Sequence, residues 1–462
     1  MAFQKGGPAV ENAARQSHAP LLSALRIAAS RTVWRLHTPV HQGFPDPEFA
    51  ALMGTATSLD LTELEETDDL RDPKGAIAEA ETLAAEHFGA ERTWFLVAGA
   101  SVGNMAALLA ISAFSAAGRS ASPPRVIVDR NAHVSVVAGL VLAELEPIWV
   151  STPWLPRWCI TGPPAPEAFA AALSAHPEAV AVIITAPTYY GTAADIAALR
   201  NICGERLLIV DEAHGSHLPR ALPAGADIVI HSAHKGLLGP TQGGFLHLRS
   251  GQRFDSAYLT QSLRLLQTTS PNYWLLAGLD AARRAAAKLQ LTSPTLPSSA
   301  LATISGPALE IYANDDPTRL LVYFPDGFAA YEALAKLSVQ AEAALPTGVL
   351  FFLGRYLADT AALASLADVM MVVRQSQATQ PARSIPSPPP MPEAVLLPRA
   401  ATLSRAEPCA IELAVDRICA EVVCPYPPGI PLLVPGERIG SRAIEHLGAV
   451  IPELRTVRVI MD

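Results

Sequence analysis

The sequence is poor in cysteine, and none of its cysteines forms a CxxC pair. It contains five, at Cys159, Cys203, Cys409, Cys419 and Cys424. An odd number at irregular spacing excludes a disulfide framework and a zinc ribbon. Because disulfides are rare in the reducing cytosol, we expect reduced thiols and a cytoplasmic protein.

Long apolar runs are also missing from the sequence. The N-terminal segment MAFQKGGPAVENAARQ lacks the apolar core of a secretory signal peptide. No later stretch offers the roughly 18 uncharged apolar residues of a transmembrane helix. We therefore expect no association with a membrane.

Basic residues are too few to outweigh the acidic ones, and the formal net charge is −9. Nucleic-acid-binding proteins carry basic surfaces, so a nucleic-acid partner is not expected. An acidic surface would suit a cationic substrate, although it also serves ordinary solubility. Half of the 462 residues are hydrophobic, which predicts a globular chain of two or three domains.

The sequence does contain alternating short apolar runs and helical segments. Helical periodicity extends over Ser23–Arg35, Lys74–Phe88, Asn104–Ala117 and Asn272–Leu289. Apolar runs predict strands at Thr93–Val97, Arg125–Asp129, Pro147–Val150, Val180–Thr185, Leu207–Val210, Ile228–Ile230, Leu320–Tyr323 and Val349–Leu353. The alternation predicts an α/β fold with a doubly wound, mainly parallel sheet.

Changes in composition divide the chain into five predicted parts. Residues 1–75 form an N-terminal helical and turn-rich segment, 76–275 a large α/β domain and 276–374 a smaller one. Residues 375–398 are dense in proline, which favours a stiff linker, and 399–462 form a C-terminal domain.

The segment Leu207–Lys235 is the most informative part of the sequence. Its two apolar runs, LLIV and IVI, each end abruptly in polar groups. Ligands bind at the carboxyl ends of strands in open α/β sheets. We therefore expect one cleft to hold five reactive side chains: Asp211, His214, Ser232, His234 and Lys235.

A lysine and an aspartate on neighbouring strands suit a pyridoxal phosphate (PLP) enzyme. Lys235 would form a Schiff base with the cofactor, and Asp211 would keep the pyridine nitrogen protonated. Ser232 and His234 could reach the cofactor phosphate. Taken alone, a lysine after a strand can be a surface residue, and an aspartate after a strand can cap a helix. The presence of both favours a PLP site.

A zinc site is the alternative for the same segment, and histidines at 214, 217, 231 and 234 could join Asp211 as ligands. Strand alternation would point His231 and His234 to opposite sides. Zinc would also leave Lys235 unexplained, so we expect no metal.

Two upstream features complete a possible cofactor cradle. The loop Gly99–Gly103 has small residues before a helix, where backbone amides can approach a phosphate. The same pattern also occurs in an ordinary tight turn. His133 follows a predicted strand and could stack on a pyridine ring, although an isolated histidine is more often structural.

Nine segments follow one another along the chain in a characteristic order: HTPVHQG (37–43), Asp60–Glu81, GASVGN (99–104), RNAHVSV (130–136), PTYYG (187–191), DEAHGSH (211–217), SAHK (232–235), TTSPNY (268–273) and PYPPGIPLLVPGE (425–437). In this order they resemble the Orn/Lys/Arg decarboxylase family of fold-type I PLP enzymes. The resemblance covers most of the chain. It implies a PLP-binding large domain of fold type I, a smaller α/β domain and a small C-terminal decarboxylase domain.

The resemblance also implies roles for individual residues. Lys235 is the Schiff-base lysine, Asp211 faces the pyridine nitrogen and His133 stacks on the ring. Further cofactor contacts fall to Ala100, Ser101, Ala213, His214, Ser232, His234 and Thr268. Family members form homodimers, with Thr268–Ser270 reaching the neighbouring cofactor, and this chain resembles the short form without a wing domain.

Three segments depart from the family pattern. Val40 stands where glycine is favoured, and Ala100 replaces a hydroxyl residue that would donate to the phosphate. The segment Leu403–Glu421 is shorter than in relatives, which bears on the outer pocket.

The implied reaction is decarboxylation of a basic L-amino acid, with arginine or lysine favoured over ornithine. The products would be agmatine, cadaverine or putrescine with carbon dioxide, in polyamine metabolism. His234 or Lys235 would return a proton to the α-carbon. Glu421 and Glu437 are candidates to bind the distal cation, and equally to be solvated or capping residues.

Two other functions remain open at this stage. Another fold-type I reaction, transamination or aldol cleavage, could use Arg319 to bind the substrate carboxylate. A catalytically silent PLP-fold protein could act as a regulatory partner, although Lys235, Asp211 and His133 are all present.

Overall fold

The structure is a computed structural model. It describes residues 8–31, 34–116, 122–251, 253–289, 309–383, 385, 387–388 and 391–461. Within these ranges, no helix combines the length and apolarity that a bilayer crossing requires. The predicted proline linker falls partly outside the described residues, at 384, 386, 389 and 390.

The helices within the described residues are α1 Pro8–Gln16, α2 Pro20–Arg31, α3 Pro47–Met53, α4 Ala76–Phe88, α5 Gly99–Ala116, α6 Val134–Ala143, α7 Pro166–Ala175, α8 Ile196–Cys203, α9 Ala233–Gly236, α10 Ser256–Leu266, α11 Tyr273–Leu289, α12 Gly327–Lys336, α13 Thr360–Ser376, α14 Pro398–Leu403 and α15 Ser441–Val450. Short 3-10 turns occupy Gly54–Leu59, Gly354–Ala358 and Ile411–Leu413.

The strands are β1 Arg92–Leu96, β2 Arg125–Asp129, β3 Glu146–Val150, β4 Trp154–Leu155, β5 Ile160–Thr161, β6 Ala181–Thr185, β7 Leu207–Asp211, β8 Ile228–Ser232, β9 Gly244–Leu248, β10 Arg319–Tyr323, β11 Ala343–Leu345, β12 Gly348–Phe352, β13 Ala406–Ala410 and β14 Thr456–Ile460. The chain separates into two compact units, Met1–Gly118 with Leu207–Thr292, and Arg119–Arg206 with Ser293–Asp462.

In the first unit, four strands lie in the order β1, β9, β8, β7. β7 and β8 are parallel, whereas β9 runs antiparallel to both β8 and β1. All five residues of β7, and all five of β8, are buried. Such continuous apolar burial is typical of strands covered on both faces. Helix α5 packs on one face, where Gly103 meets Leu96 and Ile230, and Phe88 of α4 packs on the other.

In the second unit, β6, β2 and β3 are neighbouring parallel strands. A three-stranded antiparallel sheet, ordered β10, β12, β11, is covered by apolar residues of α12 and α13. The C-terminal part pairs β13 with β14 and packs them against α15 around Leu433, Ile439 and Leu447.

The predicted α/β fold class with a mainly parallel sheet is confirmed. The strand prediction Arg125–Asp129 matches β2, and the other predicted strands differ by one or two residues. Two helix predictions were wrong. Helix α5 begins at Gly99, so the predicted loop Gly99–Gly103 is its first turn, and α2 extends over Pro20–Arg31 and not over Ser23–Arg35. The five-part domain division stays a prediction.

Candidate active site

Lys235 lies immediately after β8, in the short helix α9. Its Nζ atom is 3.2 Å from Nε2 of His214. The next residue must be small, because a Cβ at Gly236 would lie 2.5 Å from the side chains of Ser216 and His217. The predicted strand end therefore brings a half-buried lysine amine next to an imidazole.

Asp211 ends β7 and is only 3% exposed. Its Oδ2 accepts a hydrogen bond from Nδ2 of Asn104 at 2.7 Å, and its Oδ1 accepts one from the backbone N–H of Ala213 at 3.1 Å. Both bonds suit the ionised carboxylate. Asn104 was missed as a site residue, although it follows directly after the small-residue motif.

The start of α5 lies close to the strand ends of the same unit. Gly99 has φ +76° and donates its N–H to the carbonyl of Gln242 at 2.7 Å. A Cβ at Gly244 would lie 3.2 Å from the backbone nitrogen of Ala100. The first-turn amides of a helix lack intrahelical partners, so Ala100 and Ser101 carry groups suited to a phosphate.

Hydrogen bonds link the remaining predicted site residues of this unit. Oγ of Ser216 donates to the carbonyl of Ser232 at 2.8 Å, which joins the loop carrying His214 to the end of β8. Oγ of Ser232 lies 3.1 Å from Nδ1 of His234. Thr268 lies in the exposed turn between α10 and α11, where its hydroxyl is 3.3 Å from that of Ser270.

His133 belongs to the second unit, where it caps the N-terminus of α6. Its Nδ1 accepts the backbone N–H of Ser135 at 3.2 Å and lies 2.8 Å from the hydroxyl of Ser135. A Cβ at Gly429 would come within 3.1 Å of Nε2 of His133. These contacts orient the imidazole, and its predicted stacking on a cofactor stays a prediction.

Three other residues considered from sequence have partners within the second unit. Glu437 pairs with Arg130 at 2.7 and 2.9 Å, and Glu421 accepts the backbone N–H of Arg458 at 2.6 Å. Arg319 is 4% exposed, with its guanidinium 3.8 Å from the ring centroid of Phe352. The predicted substrate roles of Glu421 and Glu437 are not tested by these contacts.

The described residues hold no group of three or more histidine, cysteine or acidic side chains placed to bind a metal ion. His231 lies within β8 and contacts Glu212, whereas His234 lies beyond the strand near Ser232.

The residues of the first unit fit PLP. Asp211 is a buried carboxylate held by donors, Lys235 is an amine beside a proton acceptor, and glycines let the backbone of α5 approach closely. These are the groups that a protonated pyridine ring, an aldehyde and a phosphate require.

Comparisons with known proteins agree with this geometry. The sequence matches the Orn/Lys/Arg decarboxylase major domain over residues 19–297 and the Orn/Lys/Arg decarboxylase C-terminal domain over 384–452. It is 32% identical to an arginine decarboxylase of Bacillus subtilis, covering 94% of this chain and 93% of that protein. It is 31% identical to an arginine decarboxylase of Halalkalibacterium halodurans, covering 97% of this chain and 99% of that protein.

Solved structures show the same fold at low sequence identity. The constitutive lysine decarboxylase of E. coli superposes with a TM-score of 0.79 at 18% identity, covering 96% of this chain and 82% of that one. A serine palmitoyltransferase of Sphingomonas wittichii gives a TM-score of 0.53 at 14% identity, covering 80% of this chain and 86% of that one. Membership of this family implies PLP as the cofactor. The chain belongs to the Orn/Lys/Arg decarboxylase family and is an amino-acid decarboxylase.

Proposed function

We propose that this enzyme uses PLP to decarboxylate a basic L-amino acid, with arginine the first candidate, lysine the second and ornithine the third. The products would be agmatine, cadaverine or putrescine with carbon dioxide, supplying polyamine metabolism. The 3.2 Å contact between Lys235, just after β8, and His214, in the loop that follows buried Asp211 of β7, carries the proposal. Arginine comes first because relatives matched over nearly their whole length are named arginine decarboxylases.

The residues proposed to hold the cofactor are those that the family resemblance implies. They are Lys235, Asp211, His133, Ala100, Ser101, Ala213, His214, Ser232, His234 and Thr268. When bound, PLP supplies an electron-poor ring that takes up the electron pair of the breaking C–C bond. Everything else in the reaction falls to side chains and backbone groups of this chain.

Asp211 would keep the cofactor's ring nitrogen protonated. Its carboxyl group is buried and accepts hydrogen bonds from Asn104 and Ala213, which hold it in place to accept one further hydrogen bond from the ring nitrogen. Asn104 is thus a positioning residue for Asp211.

Lys235 and its neighbours would move the protons. The amine must lose a proton before it can attack an aldehyde, and Nε2 of His214 lies within reach of that proton. After carbon dioxide leaves, His234 or Lys235 would protonate the α-carbon. His234 is exposed and close to Ser232, on the same turn as Lys235.

We further propose a cytoplasmic homodimer. Four apolar side chains before α3 are between 79% and 89% exposed: Trp34, Leu36, Val40 and Phe44. Exposed apolar patches mark interaction sites, and a second copy of the chain would cover this one. None of the five cysteines, all of them among the described residues, forms a disulfide, which suits a protein in a reducing compartment.

The decisive experiment incubates purified enzyme and PLP separately with arginine, lysine and ornithine, and identifies the products by mass spectrometry. We expect an amine and carbon dioxide from arginine or lysine, and neither from a Lys235→Ala variant. Lys288→Ala, an exposed lysine of α11, serves as the matched control. Keto-acid formation would instead indicate an aminotransferase, and bound PLP without turnover would indicate a silent regulatory protein; either result overturns the proposal.

A further inference from the structure

A chain of hydrogen bonds crosses the first unit on the face of the sheet that carries α4. Oγ1 of Thr93 lies 2.8 Å from Nδ1 of His247, and Nε2 of His247 lies 3.0 Å from Nδ1 of His231. Nε2 of His231 lies 2.7 Å from Oε2 of Glu212. The proposed mechanism uses none of these four side chains.

The four side chains are shielded from water. Thr93, Glu212, His231 and His247 are each at most 2% exposed. The ring of Phe88 covers the two imidazoles, at centroid distances of 5.2 and 4.7 Å. Burial lowers the pKa of His247 well below its ordinary value, assisted by the nearby charges that His231 and His87 would carry.

The bonds around Glu212 set the direction of the whole chain. Oε1 of Glu212 accepts the backbone N–H groups of Arg220 and Ala221 at 2.8 and 3.0 Å, as a carboxylate would. As the carboxylate, Glu212 accepts a second hydrogen bond through Oε2, from the Nε2–H of His231. With both imidazoles neutral, Nδ1 of His231 accepts from Nε2–H of His247, whose Nδ1 accepts from the Thr93 hydroxyl.

The hydrogen-bond chain lies on the opposite face of the sheet from the residues that would hold the cofactor. Glu212 follows Asp211 in sequence, and His231 precedes Ser232, so each pair points to opposite faces of the sheet. Asp211 faces α5 through Asn104, whereas His231 contacts Phe88 of α4. A slip of one residue in β7 or β8 would exchange these faces.

Glu212 also closes the loop that carries His214. Its bonds to Arg220 and Ala221 tie together the two ends of the segment 212–221. Within that segment, Ser216 bonds to the end of β8. The position of His214 beside Lys235 therefore depends on Glu212, and through it on His231 and His247.

We propose that Thr93, His247, His231 and Glu212 form a hydrogen-bond chain of single polarity that positions Asp211, His214 and Lys235 from behind the sheet. The inference rests on the proposed function, because it concerns residues that would hold the cofactor. All four are positioning residues, since none of them lies on the face of the sheet that presents Asp211.

Three variants distinguish the effect of hydrogen-bond direction from the effect of side-chain packing. His231→Gln offers one acceptor and one donor, so it can continue the chain in the same direction. His231→Leu fills similar space but leaves His247 and Glu212 without that partner. In Glu212→Gln, the side-chain NH₂ group faces either Nε2–H of His231 or the backbone N–H groups of Arg220 and Ala221. A donor then meets a donor, which opposes the proposed direction of the hydrogen bonds.

The first readout is ¹⁵N NMR of histidine-labelled protein without cofactor. We expect both His231 and His247 to give the signals of the Nε2–H tautomer, and Glu212→Gln to change the His231 signal. Signals of the Nδ1–H tautomer at either residue would overturn the assignment of polarity.

The second readout is PLP fixed on Lys235 by borohydride, measured by peptide mass spectrometry beside kcat and KM. We expect PLP attachment and kcat of His231→Gln to stay within about threefold of the values for the unsubstituted enzyme. His231→Leu and Glu212→Gln should each lower PLP attachment and kcat about tenfold and leave KM unchanged. Equal losses in all three variants, tracking only their melting temperatures, would overturn the positioning role. Normal tautomers and PLP attachment without any amine product would instead refute the proposed function.

Discussion

The carboxylate of Glu437 binds the guanidinium of Arg130 through two hydrogen bonds, of 2.7 and 2.9 Å. Glu437 is 1% exposed and also accepts the backbone N–H of Val434 at 2.9 Å. Arg130 follows β2 and precedes His133 by only three positions. The pair therefore joins the C-terminal PYPPGIPLLVPGE segment to the turn that carries His133.

Removing one partner of this buried pair should destabilise the second unit. We expect Glu437→Met to lower the free energy of unfolding by about 3–5 kcal/mol, because Arg130 is left with an uncompensated charge. The measurement is urea denaturation followed by fluorescence. The double variant Arg130→Met/Glu437→Met should recover much of the loss, and a single variant as stable as the unsubstituted protein would contradict the assignment.

Asn104 should control how strongly Asp211 can hold the cofactor. Asn104→Ala removes a 2.7 Å bond to a buried carboxylate, and hydrogen bonds to charged groups contribute about 1.5–3 kcal/mol. We expect the Kd for PLP to rise about tenfold or more, measured by cofactor titration. Asn104→Asp should raise the Kd for PLP further, because a second carboxylate would face Asp211.

The matched control for this prediction is Ser115→Ala, which alters a half-buried position in the last turn of the same helix. Equal PLP affinities for Asn104→Ala and Ser115→Ala would show that Asp211 does not depend on Asn104.

Glu81 should make stability depend on pH. Burial raises the pKa of Glu81 to about 8, against the opposing effects of the Phe95 amide and Arg92. The folded state thus holds this proton more tightly than the unfolded state, whose ordinary pKa is 4.5. The unfolding free energy should therefore fall as pH rises from about 4.5 towards 8, by up to about 1.4 kcal/mol per pH unit from this group.

Glu81→Gln tests this dependence, because the amide oxygen can still accept the Phe95 N–H but carries no charge. Relative to the unsubstituted protein, the variant should gain stability between pH 5 and pH 8 in urea titrations. Glu79→Gln, exposed on the same helix, should follow the unsubstituted protein. A stability difference that does not vary with pH would mean that Glu81 titrates normally.

Gly429 should set the orientation of His133. A Cβ there would lie 3.1 Å from Nε2 and 3.2 Å from Cδ2 of His133, and the backbone has φ +80°. We expect Gly429→Ala to lower stability by about 1–3 kcal/mol through backbone strain and to displace the imidazole. The displacement should appear as a shifted His133 signal in histidine-labelled NMR spectra.

Gly440→Ala is the control, because no atom lies within 4 Å of its added Cβ and its φ is −84°. If Gly429→Ala and Gly440→Ala left the His133 signal equally unchanged, the contact would have no role in orienting the ring.

Strand ends and reactive residues could be predicted from the local pattern, because an unbroken apolar run that stops at polar groups is typical of a buried strand and its end. Asp211 and Lys235 were located in this way, and the structure places Asp211 at the end of β7 and Lys235 in the short helix directly after β8. β9 was missed. Its residues Gly244–Leu248 begin with the second glycine of a Gly-Gly pair and include His247, so the segment is less apolar than a typical buried strand.

The first turn of α5 was misplaced for a different reason. Gly99 and Gly103 are poor helix formers, so the pattern favoured a loop up to Asn104. Close packing overrides that preference, since a Cβ at Gly103 would lie 2.8 Å from Leu96 and 2.9 Å from Ile230. Gly103 permits the helix to approach the sheet, whereas a Cβ at Gly99 would meet no atom within 4 Å.

By itself, the sequence determined the α/β class and the family, and it predicted the reactive lysine and aspartate, because all of these depend on short local patterns in a characteristic order. The tertiary structure alone decided which partner each polar group has. Asn104 meets Asp211 across 107 residues, Thr93 meets His247 across 154, and Glu437 meets Arg130 across 307. No periodicity spans such separations, and these bonds exist only because packing of the apolar strands and helices brings distant side chains within hydrogen-bonding distance.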